Sequence, residues 1–255
     1  MANTVMLNSR SIENILFQVM DDFGNLSQYG SSRTVATPDL HLTRSDEMKV
    51  AIIGTGNMAS GLANALAGAK HEVVIGSRDP AKAAALAEKI GQGTQGGSLA
   101  AAAKLAEVVI LAIPFGGAAD AIKEAGDLVG KVLIDISNPI SADYKSLVIG
   151  HTTSAAEEIQ ALAPKARVVK AFNTIFAQLL PAEARQGKTL QVLVAGDDEA
   201  ATAQVSALAK SMGFEALNAG PLSNSRFIEP IGEMNIHFGY FLGKGPTVAP
   251  AWVQV

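Results

Sequence analysis

The chain has 255 residues, a length typical of one or two domains. Hydrophobic residues make up 48% of it and charged residues 17%, which excludes an intrinsically disordered chain. The formal net charge of −4 argues against a nucleic-acid-binding protein, and the lack of cysteine excludes disulfides, thiolate metal sites and a cysteine nucleophile.

Residues 1–47 differ from the rest of the sequence. One short amphipathic helix is predicted at Ser11–Phe23, and a Ser/Thr-rich stretch without periodicity follows it. A strand pattern begins directly after Met48. We predict that residues 1–47 form a disordered or dispensable arm, with Met48 as a candidate translation start. The start lacks the basic and apolar pattern of a secretory signal, and no apolar run reaches the ~18 residues of a membrane span, so a cytoplasmic protein is expected.

From Met48 onward, short β-branched runs alternate with Ala-rich helical stretches. Such alternation predicts a Rossmann-type doubly wound α/β fold with a parallel sheet and right-handed crossovers. We assign residues 48–172 to this nucleotide-binding domain. The predicted strands are Lys49–Ile53, Glu72–Ile75, Val108–Ile113, Val132–Ile136 and Val168–Phe172, and the predicted helices are Met58–Ala69, Ala81–Ile90, Leu99–Lys104, Ala118–Leu128 and Ala155–Leu162.

The rhythm changes after Phe172. Two further strands are predicted at Leu190–Ala195 and Glu215–Asn218, around a helix at Asp197–Met212 that Asp197 would cap. A last helix is predicted from Asn224 to about residue 242. We interpret residues 173–255 as a small C-terminal α/β extension of the sheet, or a small second lobe, that carries the acceptor side of the site.

A glycine pattern follows the first predicted strand and opens the first helix. Gly54-Thr55-Gly56-Asn57-Met58-Ala59 matches G-x-G-x-x-A in the strand–helix context that gives this pattern its meaning. Gly54 permits the tight turn, and Gly56 lets backbone N–H groups approach a pyrophosphate at the helix N-terminus. The pattern predicts dinucleotide binding.

The tip of the second predicted strand favours NADP(H) over NAD(H). An NAD enzyme would place an acid here for the ribose hydroxyl, but this sequence has Gly76 and Ser77, followed by Arg78 and, one helical turn later, Lys82. A hydroxyl and two cations suit a 2′-phosphate, which a carboxylate would repel. The alternative is that both cations are ordinary solvated charges and that Asp79 serves the ribose.

Two more strand ends would line the same crevice, since ligands bind at the carboxyl ends of parallel strands. Ile113 and Pro114 end one predicted strand, and Pro114 would set the turn. Asn138 follows another and offers an amide near the expected nicotinamide. Each segment also fits a simple strand stop.

Three separated motifs resemble a known family. Gly54–Met58, Gly76–Lys82 and Asn218–Arg226 are similar to the deazaflavin-dependent NADP reductases. Lys170–Ile175 resembles the cytosolic NADPH-binding domain of the six-transmembrane metalloreductases. The resemblance implies hydride transfer between NADP(H) and a flavin or deazaflavin. It also implies that Thr55, Ser77, Arg78 and Lys82 hold the 2′-phosphate, and that Gly54, Gly56, Asn57 and Met58 bind the pyrophosphate.

The same resemblance implies an acceptor side. Asn173 and Thr174 would position the acceptor, with Ile175 and the segment Gly220, Pro221 and Leu222 facing the ring. The deazaflavin reductases usually carry His at the position of Asn173 and Pro at that of Phe176. This leaves FMN, FAD, a deazaflavin, or a small imine or carbonyl as in the pyrroline-5-carboxylate reductases, open as acceptors. A non-catalytic NADPH sensor is the alternative outside catalysis.

The last predicted helix contains further polar and aromatic residues. His237 is interpreted as structural, Glu229 and Glu233 as a solvated face, and no metal site is predicted. Aromatic side chains of this helix are interpreted as core or subunit contacts, and the apolar last 20 residues predict a homodimer. These aromatic residues are Phe227, Phe238, Tyr240 and Phe241.

Overall fold

The computed structural model describes residues 47–255. The arm predicted at residues 1–47, with its helix at Ser11–Phe23, lies outside these residues except for its last position. The division between residues 48–172 and 173–255 stays a prediction.

The described residues form one mixed sheet of eight strands in the order β3-β2-β1-β4-β5-β6-β7-β8. Strands β1 to β6 are parallel, β7 is antiparallel to β6, and β8 is parallel to β7. The strands are β1 Lys49–Ile53, β2 Glu72–Gly76, β3 Gln95–Gly97, β4 Val108–Leu111, β5 Val132–Asp135, β6 Arg167–Lys170, β7 Gln191–Gly196 and β8 Glu215–Asn218.

Seven α-helices of the described residues connect or cover the strands. They are α1 Asn57–Gly68, α2 Pro80–Ile90, α3 Leu99–Leu105, α4 Ala118–Ala125, α5 Ala155–Leu162, α6 Glu199–Ser211 and α7 Ser225–Ile236. A turn of π-helix at His237–Phe241 continues α7. The doubly wound α/β fold predicted from the alternating pattern is thereby confirmed.

The parallel strands are buried on both faces, which explains their near-continuous β-branched composition. Val50, Ile52, Ile110 and Ile134 belong to one apolar cluster, and Ala51 and its neighbours on the opposite face to another. All five side chains have an exposed fraction of 0%. The sheet is therefore a rigid platform whose carboxyl edge positions the loops that follow.

The structure corrects some predicted boundaries. The strand predicted to reach Ile113 ends at Leu111, and the helix predicted to reach Leu128 ends at Ala125, where Gly126 follows with a φ of 82°. Asp198, rather than Asp197, caps α6 by accepting a hydrogen bond from Ala201 N at 2.7 Å. Asp197 instead accepts from Leu222 N.

The sequence pattern does not predict β3, because Gln95-Gly96-Gly97 contains no β-branched or aromatic residue. This segment forms a strand because it packs closely against α2. A Cβ on Gly96 would lie 2.4 Å from the carbonyl carbon and oxygen of Ala83. Only glycine lets this strand approach the helix so closely.

The antiparallel strand β7 determines where the C-terminal elements lie. Gly196, the last residue of β7, pairs with Val169 in β6, and Gly196 N donates to Gly220 O at 3.1 Å. The carboxyl ends of β7 and β8 therefore lie at the edge where β1–β6 begin. From there α7 returns toward the opposite edge.

No helix of the described residues combines the length and the hydropathy that crossing a membrane requires.

Candidate functional site

The loop between β1 and α1 depends on glycine at Gly54. Its φ is +128°, a conformation that L side chains rarely adopt, and a Cβ there would lie 2.4 Å from Ala112 O. Gly54 N donates to Gly76 O at 2.9 Å. The loop is thus fixed against the tips of β2 and β4 at the carboxyl edge of the sheet.

The N-terminus of α1 is open to a ligand. Gly56 is its N-cap residue, with no side-chain capping hydrogen bond and no acidic residue in the first turn. A Cβ on Gly56 would meet no described atom within 4 Å. The free N–H groups and partial positive charge of this turn suit an anion such as a pyrophosphate.

A cavity of about 260 Å³ lies between the tips of β1, β2 and β4. The structure brings together four predicted residues around it, namely Ser77, Arg78, Ile113 and Pro114. Arg78 is exposed and makes no ion pair with a described residue. The site therefore presents a hydroxyl and a guanidinium, and both groups can bind a phosphate monoester.

Asp79 has a structural role at this tip. Its Oδ1 accepts hydrogen bonds from Ala81 N at 3.1 Å and Lys82 N at 3.4 Å, which caps α2. Its Oδ2 is 3.9 Å from Lys82 Nζ, whose side chain is 72% exposed. The carboxylate is bound to the start of the helix, which weighs against its alternative role as the ribose acid. Lys82 is exposed to solvent and is not among the residues that line the smaller cavity.

A second and larger cavity, of about 490 Å³, opens at the carboxyl ends of β5 and β6. It brings together six of the predicted residues, from the glycine loop and from both strand ends. These are Asn57, Met58, Asn138, Asn173, Thr174 and Ile175. The first turn of α1 thus contributes to this cavity the same residues that would bind the pyrophosphate.

Asn138 and Asn173 form a reciprocal amide pair at this cavity. Asn138 Nδ2 donates to Asn173 O at 3.0 Å, and Asn173 Nδ2 donates to Asn138 Oδ1 at 2.8 Å and to Ile228 O at 3.1 Å. Asn173 Oδ1 and Thr174 Oγ1 are buried without a hydrogen-bond partner among the described residues. Buried polar atoms normally have partners, so these two are candidates for ligand contacts.

The turn that presents Asn173 is made by Phe172. This residue is 1% exposed and has a φ of 60°, which is an outlier for a bulky side chain. Its ring packs edge-on against Phe214 at a centroid distance of 6.2 Å. Packing thus holds a backbone conformation that costs of order 1–3 kcal/mol, a feature that clusters at ligand sites.

A buried ion cluster lies behind the amide pair, and the sequence interpretation missed it. Lys170 Nζ is 2.7 Å from Asp135 Oδ2 and 2.8 Å from Glu229 Oε1, and the three side chains are 0%, 0% and 1% exposed. Burial raises the pKa of Glu229, and the Lys170 ammonium acts against that rise. The predicted solvated role of Glu229 is wrong, because α7 packs this face against β6.

The segment Gly220-Pro221-Leu222 lies at the end of the sheet where β1–β6 begin, opposite their carboxyl ends. The structure does not place these three predicted residues at the crevice, because β7 reverses the chain direction before they are reached. Gly220 O accepts from Gly196 N, and Leu222 is 2% exposed within the apolar cluster that includes Val168. Leu222 therefore packs in the core, Pro221 is exposed, and none of the three residues lines either cavity.

The aromatic residues after β8 are not core residues. Phe227, Phe238, Tyr240 and Phe241 are 69%, 43%, 58% and 48% exposed. Because they lie on the outer face of α7 or in the π-helical turn after it, the predicted core role is wrong. The alternative role in a subunit contact stays a prediction. Tyr240 and Phe241 also line the larger cavity.

His237 contacts residues at the rim of that cavity. Its Nε2 lies 3.1 Å from Tyr144 O and 3.5 Å from Glu233 Oε1, and its ring stacks on Phe241 at 4.8 Å. Glu233 is half-buried rather than fully solvated, because its carboxylate faces this histidine. These contacts join the π-helical turn to the loop around Tyr144.

The larger cavity suits a planar, uncharged heterocycle. The polar side chains that line it are amides, a threonine hydroxyl and two tyrosines, and none of its lining residues is Asp, Glu, His, Lys or Arg. Amides offer both donors and acceptors to a ring edge. Such a wall can align a ring and stabilise charge that develops on it, which is what a hydride transfer requires of a protein.

The sequence matches one family model and is similar to several known proteins. The family model described as NADP oxidoreductase, coenzyme F420-dependent, matches residues 49–139. An F420-dependent NADP reductase of Methanothermobacter marburgensis is 35% identical over 208 residues, which cover 74% of this chain and 92% of the relative. Metalloreductase STEAP3 of Rattus norvegicus is 38% identical over 183 residues, or 72% of this chain. The match spans only 36% of that metalloreductase's length.

A solved structure shares both fold and sequence with the chain. It is described as a candidate F420-dependent NADP reductase from Arthrobacter sp. FB24, and it superposes with a TM-score of 0.70 at 33% identity. The match covers 77% of this chain and 95% of that structure.

Proposed function

Since this chain belongs to the family of F420-dependent NADP reductases and is an NADP-dependent oxidoreductase, we propose that it transfers a hydride between NADP(H) and a deazaflavin or flavin. NADPH supplies that hydride from its nicotinamide ring. A deazaflavin is favoured among the acceptors because the relatives that match over most of their length are called F420-dependent.

The dinucleotide would be held at two places by groups that fit its charge. The uncapped first turn of α1, with Gly56, Asn57 and Met58, would bind the pyrophosphate through backbone N–H groups. Ser77 and Arg78 would bind the 2′-phosphate beside the smaller cavity. Thr55 and Lys82 flank these two places in the loop and on α2.

The acceptor side carries the proposal. The larger cavity adjoins the same turn of α1, and two of its lining residues carry buried oxygens without a partner among the described residues, Asn173 Oδ1 and Thr174 Oγ1. The hydroxyl of Thr174 and the amides of Asn138 and Asn173 would bind the polar edge of the acceptor ring. Ile175 is 4% exposed and would bound the ring with an apolar surface. The chain thereby orients two rings and excludes water from between them.

The test measures oxidation of NADPH by F420, FMN and FAD in parallel reactions. The loss of absorbance of the reduced nicotinamide monitors each reaction. We expect turnover with F420 to exceed that with FMN or FAD at equal concentration. Tight NADPH binding without turnover by any of the three would favour a sensor. Turnover with a small cyclic imine alone would move the chain to an imine or carbonyl reductase function.

Thr174→Val supplies a nearly isosteric variant of the acceptor side. It removes one hydroxyl that has no partner in the described structure, so folding should be preserved. We expect the KM for the acceptor to rise while the Kd for NADPH is unchanged. An unchanged acceptor KM would remove Thr174 from the site.

We also propose that the chain forms a homodimer and lies in the cytoplasm. Exposed apolar side chains near the C-terminus, among them Phe241, Trp252 and Val253 at 48%, 56% and 80%, support a homodimer. Light scattering that gives the mass of one chain would contradict it. The cytoplasmic location expected from the sequence stays a prediction, which cell fractionation would test.

A further inference from the structure

The ion cluster of Lys170, Asp135 and Glu229 satisfies every donor of its lysine. Lys170 Nζ donates to Asp135 Oδ2 at 2.7 Å, to Ser137 O at 2.6 Å and to Glu229 Oε1 at 2.8 Å. An ammonium has three N–H donors, so none is left over for a substrate. The lysine is thus a structural centre that connects β5, β6 and α7.

The carboxylates of this cluster are also fixed on their other sides. Asp135 Oδ1 accepts from Ser137 N at 2.8 Å. Glu229 Oε2 accepts from Ala155 N at 2.9 Å and Oε1 from Ala156 N at 3.2 Å, at the N-terminus of α5. With one cation and two anions, the cluster has an excess negative charge, which the partial positive charge of that helix end partly offsets.

The cluster is directly connected to the amide pair at the cavity. Ser137, which it holds through both backbone groups, precedes Asn138 in the chain. Ile228, whose carbonyl accepts from Asn173 Nδ2 at 3.1 Å, precedes Glu229. The cluster therefore reaches Asn138 through Ser137, which both Lys170 and Asp135 contact, and it reaches Asn173 through Ile228, the chain neighbour of Glu229.

The same helix makes two more contacts with the cavity wall. A Cβ on Gly232 would lie 2.5 Å from the amide of Asn138, and Asn235 Nδ2 donates to Thr174 O at 3.2 Å. The position of α7 along β6 consequently sets where Asn138, Asn173 and Thr174 lie. Among its described contacts, the Glu229–Lys170 bond is the one formed between fully buried charges.

We propose that Lys170, Asp135 and Glu229 are positioning residues that set the amide pair against the cavity and so align the acceptor ring with the nicotinamide. The proposal rests on the proposed function for the identity of the rings. A buried pair of this kind is weak evidence for stability alone, since desolvation offsets much of its attraction. Its connection to both members of the amide pair, through Ser137 to Asn138 and through Ile228 to Asn173, is what the positioning role explains.

The chain offers a matched control at the same helix contact. Glu157 of α5 accepts two hydrogen bonds from Arg226 of α7, at 2.8 Å from Nε and 2.6 Å from Nη2. This pair also joins α5 to α7, but its side chains are 22% and 34% exposed, and neither residue lines the larger cavity. Glu157→Gln thus weakens the same interface without touching the amide pair.

The experiment compares Glu229→Gln and Glu157→Gln with the unmodified chain. We expect Glu229→Gln to lower kcat for NADPH oxidation by F420 roughly tenfold with Kd for NADPH within about twofold, because alignment governs the chemical step. Glu157→Gln should leave kcat unchanged. Equal losses in both variants, or unchanged kcat in Glu229→Gln, would overturn the positioning role.

A second readout needs no acceptor. The fluorescence lifetime of bound NADPH reports how firmly the nicotinamide is held, and we expect it to shorten in Glu229→Gln and not in Glu157→Gln. If none of the three acceptors supports oxidation of NADPH by the unmodified chain, the proposed function fails, while the lifetimes still decide the positioning role. Equal lifetimes in the three proteins would contradict it.

A triple variant covers the case in which Glu229→Gln does not fold. Lys170→Met with Asp135→Asn and Glu229→Gln removes the cation and both anions together, so no buried charge of the cluster is left without a partner. We expect the same loss of kcat and the same shortened lifetime. Retention of both at the level of the unmodified chain would overturn the proposal.

Discussion

The two ends of the crevice are built in different ways. At the proposed NADP end, the candidate binding groups come from two short stretches, Gly54–Met58 and Ser77–Lys82, and much of their chemistry is backbone N–H or exposed cation. At the proposed acceptor end, the candidate groups come from the ends of β5 and β6 and from α7, and they are buried and bonded to one another. The first end is specified locally, and the second depends on how distant elements pack.

The largest effect that would test this contrast is expected at the ion cluster. Lys170→Met leaves two buried carboxylates without their cation, which should cost about 3–5 kcal/mol of the free energy of unfolding. A domain of this size would then melt roughly 6–20 °C lower. Differential scanning calorimetry measures the change, with Lys82→Met as the exposed control. A melting temperature equal to that of the unmodified chain would show that packing at this end does not depend on the cluster.

A smaller and more specific effect is expected at the NADP end. Arg78→Ala removes a charge-assisted contact to the 2′-phosphate, worth about 1.5–3 kcal/mol, so the Kd for NADPH should rise roughly 10- to 100-fold. The Kd for NADH and the melting temperature should stay unchanged. Calorimetric titration measures both dinucleotides, with Lys210→Ala on α6 as the control. Equal weakening of NADPH and NADH would contradict the phosphate contact.

Gly56→Ala is expected to weaken dinucleotide binding without changing the stability of the fold. The added Cβ meets no described atom within 4 Å, so the melting temperature should be retained. It would occupy the space expected for the pyrophosphate, and binding of both NADPH and NADH should weaken by roughly tenfold, about 1.4 kcal/mol. Unaltered binding of both dinucleotides would place the pyrophosphate elsewhere.

The smallest expected effect is a pH dependence of opposite sign at two glutamates near the N-terminus of α5. The pKa of Glu229 is raised from its ordinary value of 4.5 by burial. Its contribution to stability is present below pH 4.5 and is lost as the pH rises through the raised native pKa. The pKa of Glu157 is lowered by its hydrogen bonds from Arg226. Its contribution is present above pH 4.5 and is lost as the pH falls through the lowered native pKa.

Melting temperatures of Glu229→Gln and Glu157→Gln across this pH range measure the two slopes. The advantage of the unmodified chain over Glu229→Gln should shrink as the pH rises, and its advantage over Glu157→Gln, under about 1 kcal/mol, should shrink as the pH falls. Parallel slopes in the two variants would mean that the two carboxylates have similar environments.

The contrast also explains what the sequence could predict. The strand–glycine–helix order around Gly54 and the cations after β2 are local patterns, and the structure places Gly56, Ser77 and Arg78 at the carboxyl edge as expected. Asn138 was also predictable, because it follows a strand whose end must lie at the same crevice, whereas Asn173 and Thr174 were expected from the family resemblance alone. The residues predicted from local patterns share a dependence on neighbours that are close in sequence.

The remaining features depend on the direction of one strand. Nothing in the apolar pattern of Leu190–Ala195 reveals that β7 runs antiparallel, yet this reversal moves Gly220–Leu222 away from the crevice and brings Glu229 to Lys170. A lysine inside an otherwise apolar strand, with Asp135 at the end of its neighbour, was the available signal for a buried ion pair. Its third member could not be found without the packing of α7.

The amide wall of the larger cavity has a consequence for the direction of flow. Because its lining contains no acid, histidine, lysine or arginine, changes in solvent acidity near neutrality leave the wall's own charge as it was. The wall thus offers no protonation bias toward either the oxidised or the reduced ring. As for any catalyst, the direction of net flow follows the cell's ratio of NADPH to NADP⁺ and the reduction potential of the acceptor, and any proton that the reduced ring takes up would come from solvent.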